Sequence, residues 1–218
     1  MNIYHLTRRV SSLPNPFVAD TWDLKGCRPE ASFNGRKVLN DAGCDVEDIP
    51  AVEREFSAGN KFLNWPKDVW FGATTQEMDG DLDDFIINNA MAPLITRHLS
   101  ETLKSLNLPD HQMLPAEVVW HNGRRERAFI LNFTKLVPCL DVEKTIVISW
   151  YPEAWPNPSQ RGKIRSMIKP TIISKNIDGF DLFRSEEFPC SLFGSEKFKN
   201  IFINGGMTGV GFDPVRLS

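Results

Sequence analysis

The chain has 218 residues, 41% hydrophobic and 24% charged, with six Trp and fifteen Phe, the makeup of a globular protein whose core needs no disulfide or metal staple. No apolar run is long enough to cross a bilayer, and MNIYHLTRRVSSLPNPF lacks the apolar segment of a signal peptide, so a cytoplasmic protein is expected. The net charge of −3 hides an asymmetry: residues 41–84 hold twelve acids against Arg54, Lys61 and Lys67, about −9, and the remainder sums to about +6.

Residues 2–10 have the length of a first strand, ended by Pro14 and Pro16. From 11 to 50, turn formers such as Asn34-Gly35 and Ala42-Gly43, without a helical period, indicate short strands and loops. AVEREFSAG, from Ala51, reads as alternating, with Val52 and Phe56 apolar among charges. In FLNWPKDVWFG, Pro66 excludes a central helix or strand across that point. Thr96 is a good N-cap for RHLSETLKSL, whose Leu99, Leu103 and Leu106 form one apolar stripe. Residues 112–120 look extended, Asn122-Gly123 is a hairpin signal, and ERAFILNFTKLV and TIVISW follow as strands. The three-proline stretch YPEAWPNPSQRG reads as a surface loop, and KIRSMIKPTIISKNI and GFDLFR as strand material. Ser195 caps EKFKNIFIN, Gly205-Gly206 can end it, and GVGFDPVRL closes the chain as a strand.

An internal repeat organises the second half. At an offset of 99, Leu94, Thr96, Leu99, Leu103, Met113, Pro115 and Val118 match Phe193, Ser195, Phe198, Phe202, Phe212, Pro214 and Leu217. Upstream, DDFII matches FDLFR once two residues slip. Cap, stripe and Pro agreeing together predict a duplicated strand–helix–strand unit, at about 84–119 and 181–218. The expected fold is α+β, mostly antiparallel sheet with a few short helices. Two regions are expected: a β-rich segment over 1–78, separate or packed on the rest, and an α+β domain over 79–218.

Motifs for chemistry are sparse. Asp79, Asp81 and Asp83 alternate like a calcium loop, but Asp84 and Ala90 stand where its Gly and closing Glu belong. His5, His98, His111 and His121 have no i, i+4 pair and no HExxH, so no metal site is expected. GGMTGVG follows a helix and leads into a strand, the reverse of dinucleotide-binding order, so no cofactor is expected either. Cys27, Cys44, Cys139 and Cys190 lack CxxC spacing and read as buried free thiols. Arg124, Arg125, Arg127, Arg161, Lys163 and Arg165 could form a basic surface, without the aromatic interleaving of a nucleic-acid module.

DFIINNAMAPLITRHLSETLKSL (84–106), FILNFTKLVPCLD (129–141) and IDGFDLFRSEEFPCSLFGSEKFKNIFINGGMTGVGFDPVRL (177–217) resemble the immunity-protein family eleven of bacterial polymorphic toxin systems. The resemblance covers about residues 84–217 and rests on caps and apolar anchors. It implies a cytoplasmic, non-enzymatic antidote that binds and blocks one secreted toxin, encoded by an adjacent gene. The acidic segment would repel nucleic acid and suit a basic toxin. Glu53, Glu55, Trp65, Trp70, Asp79, Asp81, Asp83 and Asp84 are the candidate partner-binding residues. The alternatives are a small enzyme whose site is assembled by folding, and a ligand- or nucleic-acid-binding module using the arginine-bearing hairpin.

Overall fold

The structure, a computed structural model, describes residues 2–8, 49–66, 69–72, 82–86, 92–120, 123–177 and 179–218. In chain order these form β1 (Ile3–Arg8), α1 (Ile49–Ala58), β2 (Trp70–Gly72), β3 (Phe85–Ile86) and β4 (Leu94–Thr96). Next come α2 (Arg97–Leu103), β5 (His111–Val119), β6 (Arg125–Phe133), β7 (Ile146–Trp150), β8 (Ile164–Ile168) and β9 (Thr171–Ile172). The chain closes with β10 (Leu182–Arg184), β11 (Leu192–Ser195), α3 (Glu196–Asn204), β12 (Val210–Pro214) and β13 (Arg216–Leu217). The fold is α+β, with mostly antiparallel strands, as expected.

Two main sheets run in the orders β2-β5-β6-β4-β3 and β10-β11-β1-β12; β7-β8 and β9-β13 are two-stranded. The repeated sequence occupies matching places in the two main sheets. Pro115 lies opposite Phe129 and Met113 opposite Leu131. In the other sheet Pro214 lies opposite Tyr4 and Phe212 opposite Leu6. The strand that follows β5 in one sheet is therefore supplied in the other by β1, from the opposite end of the chain. The caps also match: the hydroxyls of Thr96 and Ser195 accept the N–H groups of Leu99 (3.3 Å) and Phe198 (3.2 Å). The correspondence ends at Val118 and Leu217: Val118 is buried, whereas Leu217 lies in β13, parallel to β9, and is exposed.

Alternation along the strands builds three cores. Phe85, Ile95, Leu131 and Phe133 face a central core, together with Leu6, Leu182 and Leu192 from the second sheet. The stripes of both helices, Leu99 and Leu103, Phe198 and Phe202, end in the same core. The outer face of the first sheet, with Leu94, Leu114 and Ile130, packs with Phe56 and Phe62. The outer face of the second, with Ile3, Phe183 and Phe193, packs on Val137, Ile164 and Ile172.

AVEREFSAG, read as alternating, is instead part of α1. Phe56 of this helix is fully buried in the first core and stacks edge-on to Phe62; it stands four residues after Val52, a helical spacing that the reading as alternating passed over. YPEAWPNPSQRG is the connection between β7 and β8, with a 3-10 turn at Pro158–Gln160. Cys139 is a buried free thiol as expected, while Cys190 is free but exposed. Cys27, Cys44, His121 and Asn122 lie outside the described residues.

Candidate functional site

The acidic candidates fall in several settings. Asp79 and Asp81 lie outside the described residues. Glu53 and Glu55 are carried by α1; Glu55 is half-buried and its Oε2 accepts from Asn60 Nδ2 at 2.8 Å. Trp65 is half-buried against the first core and donates from Nε1 to the Pro115 carbonyl at 3.0 Å. Trp70, also half-buried, opens β2 opposite Glu117. Asp83 is half-buried, two residues before β3.

Asp84 is engaged inside the fold. Its Oδ1 accepts the Thr96 hydroxyl at 2.6 Å and its Oδ2 accepts the Thr208 N–H at 3.2 Å. Asp181 does the same in the other unit: Oδ1 accepts from Ser195 Oγ at 2.8 Å, and Oδ2 accepts the Asn107 N–H at 2.9 Å. Each aspartate thus holds its own unit's cap and the loop after the other unit's helix, a reciprocal clasp across the central core. Burial alone would raise the pKa of Asp181, but the bonds from Asn107, Lys197 and Ser195 hold it below the usual carboxylate value. Sequence could pair Asp84 with Asp181 through the slipped repeat; the crossing to the other unit is a tertiary contact with no local signal.

Among the histidines, His5 has a distinctive setting. Its Nε2 lies 2.9 Å from Ser191 Oγ, its ring stacks on Phe193, and Asp213 is its register partner on β12. Ser, His and Asp are together, yet Ser191 is buried and Asp213 acts on the ring through charge without a hydrogen bond. The arrangement is that of a packed polar cluster. Burial pushes the His5 pKa below its ordinary value, against the opposing charge of Asp213. The native chain then binds fewer protons than the unfolded one, so stability is full above about pH 6.5 and falls as pH drops below it. In denaturant titrations from pH 7.5 to 5, His5→Gln is expected to flatten this decline; an unchanged slope would assign it to other groups.

Arg184, on β10, is fully buried. Its Nε donates to the Pro189 carbonyl at 2.5 Å and its Nη1 to the Phe56 carbonyl at 2.7 Å, fastening α1 to the second sheet. Burial pushes its pKa down to about 9, with Cys190 opposing, so the guanidinium stays cationic at neutral pH. Helix α1 also packs beside the 158–160 turn. Glu53 and Glu55 are therefore carried on a helix that adjoins the end of the β7–β8 hairpin.

Among the described residues no group of three His, Cys, Asp or Glu side chains could hold a metal ion. No helix among them is long and apolar enough to cross a membrane. The sequence matches the immunity protein family (Imm11) over residues 27–216, most of the chain. The chain belongs to that immunity protein family. The match begins well upstream of residue 84, where the resemblance was expected to start, so it takes in the acidic segment and α1 as well as the two repeated units. No curated protein matches the chain. An exposed apolar face was not anticipated from the sequence: TIVISW reads simply as a strand, yet its alternate side chains Ile146, Ile148 and Trp150 are exposed.

Proposed function

We propose that the chain is a cytoplasmic antidote of a polymorphic toxin system, which binds a cognate secreted toxin directly and blocks it. The observation that carries this reading is membership of the immunity protein family over 27–216. The reading assigns the chain no catalytic step. The acidic segment of the sequence, with Glu53 and Glu55 on α1 and Asp79, Asp81 and Asp83 further along the chain, draws in a basic part of the toxin and raises the rate of encounter. Trp65 and Trp70 add apolar contact from the half-exposed parts of their rings. Asp84 contributes charge, but its carboxylate is held by Thr96 and Thr208.

The test is co-expression with the toxic C-terminal domain encoded beside this gene. Restored growth and a complex that co-elutes on gel filtration are the expected results; toxicity that persists with no complex would sink the reading. In the same system, reversing Asp81 and Asp83 to Lys is expected to slow association several-fold at low salt, with the difference shrinking at high salt. Equal rates would remove the acidic segment from the contact while leaving the toxin reading in place.

A further inference from the structure

Strands β7 and β8 pair only with each other among the described residues. Their inward side chains Val147 and Met167 pack on the third core, which fixes which face remains outside. That outer face carries Ile146, Ile148, Trp150 and Ile168, exposed by 47%, 61%, 46% and 50%. Ile146 and Ile168 lie directly opposite each other, so these are neighbours on one hairpin. Single exposed apolar side chains are ordinary on a protein surface, and Leu63 and Ile203 are of that kind. Four on one short hairpin are a patch, the usual sign of a contact surface.

The charge along β8 and its flanks is one-sided, although Glu153 stands beside Gly162 in the connection before it. Residues 158–175 contain Arg161, Lys163, Arg165, Lys169 and Lys175 and no acid. None of these five forms an ion pair with a described residue, whereas Lys144, Arg124, Arg125, Lys104 and Lys197 all do. The connection bearing the first of them is held in one shape. Trp155 Nε1 donates to Gln160 Oε1 at 2.9 Å, Arg161 Nε donates to the Trp155 carbonyl at 2.7 Å, and the Arg165 guanidinium lies 5.5 Å from the centre of the Trp155 ring. An ordered apolar centre beside unpaired bases fits a partner with an apolar patch bordered by carboxylates.

We propose that the outer face of β7–β8 is the docking surface for the captured toxin, whose contact patch is apolar at its centre and acidic where it meets Arg165 and Lys169. This rests on the toxin-binding reading and extends it to a place and a chemistry. Because α1 adjoins the 158–160 turn, the hairpin lies next to the helix that carries Glu53, Arg54 and Glu55. A toxin spanning both presents acids to the hairpin and bases to α1. Steering then comes from the charges, and affinity from Ile146, Ile148 and Trp150.

The experiment is isothermal titration of the toxin C-terminal domain encoded beside this gene into wild-type chain, Ile148→Asp, and the double variant Arg165→Glu/Lys169→Glu. Ile148→Asp is expected to weaken binding about thirtyfold or more, the range for a central apolar contact. The double reversal is expected to weaken it about tenfold, by an amount that shrinks with added salt. The free variants are expected to melt where the wild type does, since the altered side chains are exposed. Tight wild-type binding matched by both variants overturns this surface and leaves the toxin reading standing. No binding by the wild type overturns both. A dimer of the free chain that Ile148→Asp dissolves, or wild-type binding to anionic phospholipid vesicles that it abolishes, overturns the toxin as occupant.

Discussion

Replacing Asp181 by alanine is expected to destabilise the chain by about 3 kcal/mol, the loss of charge-assisted bonds at a buried carboxylate. Three donors converge on it: Ser195 Oγ at 2.8 Å, Lys197 Nζ at 2.9 Å and the Asn107 N–H at 2.9 Å. Lys197 is largely exposed, so its share is small; most of the loss comes from Ser195 and Asn107, which lose their acceptor. For a chain of this length the melting temperature should fall by about 6–12 °C. Asp84→Ala removes the equivalent clasp at a half-exposed position with one longer bond, and is expected to cost about half as much. The Asp181 carboxyl is held below its ordinary value, so its contribution is complete above about pH 4 and disappears as pH falls through the native pKa. Scanning calorimetry at pH 7 and pH 3 should show the gap between wild type and Asp181→Ala narrowing in acid. Equal melting temperatures at pH 7 would show that the clasp does not hold the two units together.

The parts of this fold legible in the sequence are those set by neighbours along the chain. Thr96 and Ser195 announce their helices because a cap needs only a hydroxyl three residues ahead of an N–H. Leu99 and Leu103, and Phe198 and Phe202, announce the buried faces through their spacing. What sequence does not carry is the choice of partner across distance. β1 gives no sign that it will lie between β11 and β12, nor Asp84 that it will bind the backbone at Thr208. The α1 segment was misread as alternating: Glu53, Arg54 and Glu55 are consecutive, and Val52 and Phe56 stand four apart, the spacing of a helix face. The candidate surface was legible in charge but incompletely in shape. TIVISW runs apolar without a break through Ile146, Val147 and Ile148, so periodicity could not say which side would be left outside. Packing of Val147 on the third core makes that choice.

Gly209→Ala is expected to be the most damaging single-methyl change, at about 4 kcal/mol. The residue has φ +108°, a conformation that costs an L side chain about 1–2 kcal/mol. A Cβ there would stand 2.0 Å from the Phe85 carbonyl oxygen, 2.9 Å from the Phe85 carbonyl carbon and 3.0 Å from Asp83 Cβ. The obstacle is mostly backbone, which no rotamer change can clear, so residues 83–85 and 208–209 must separate. That separation stretches the bond from Phe85 N–H to the Thr208 carbonyl (3.1 Å) and the one from Thr208 N–H to Asp84 (3.2 Å). Each is worth about 1 kcal/mol, which with the backbone strain gives the total. Gly206 supplies the control: its φ is +67°, but nothing lies within 4 Å of its Cβ position, so Gly206→Ala should cost only about 1 kcal/mol. The two variants place the same methyl group at a positive φ within one loop and differ in what it meets. Melting temperatures about 8–16 °C lower for Gly209→Ala and about 2–4 °C lower for Gly206→Ala are expected. Equal losses would mean that the close approach of 208–209 to 83–85 is not what closes the clasp. A loss confined to Gly209→Ala, with capture of the toxin still intact at low temperature, would place this contact in holding the units together and outside the docking surface.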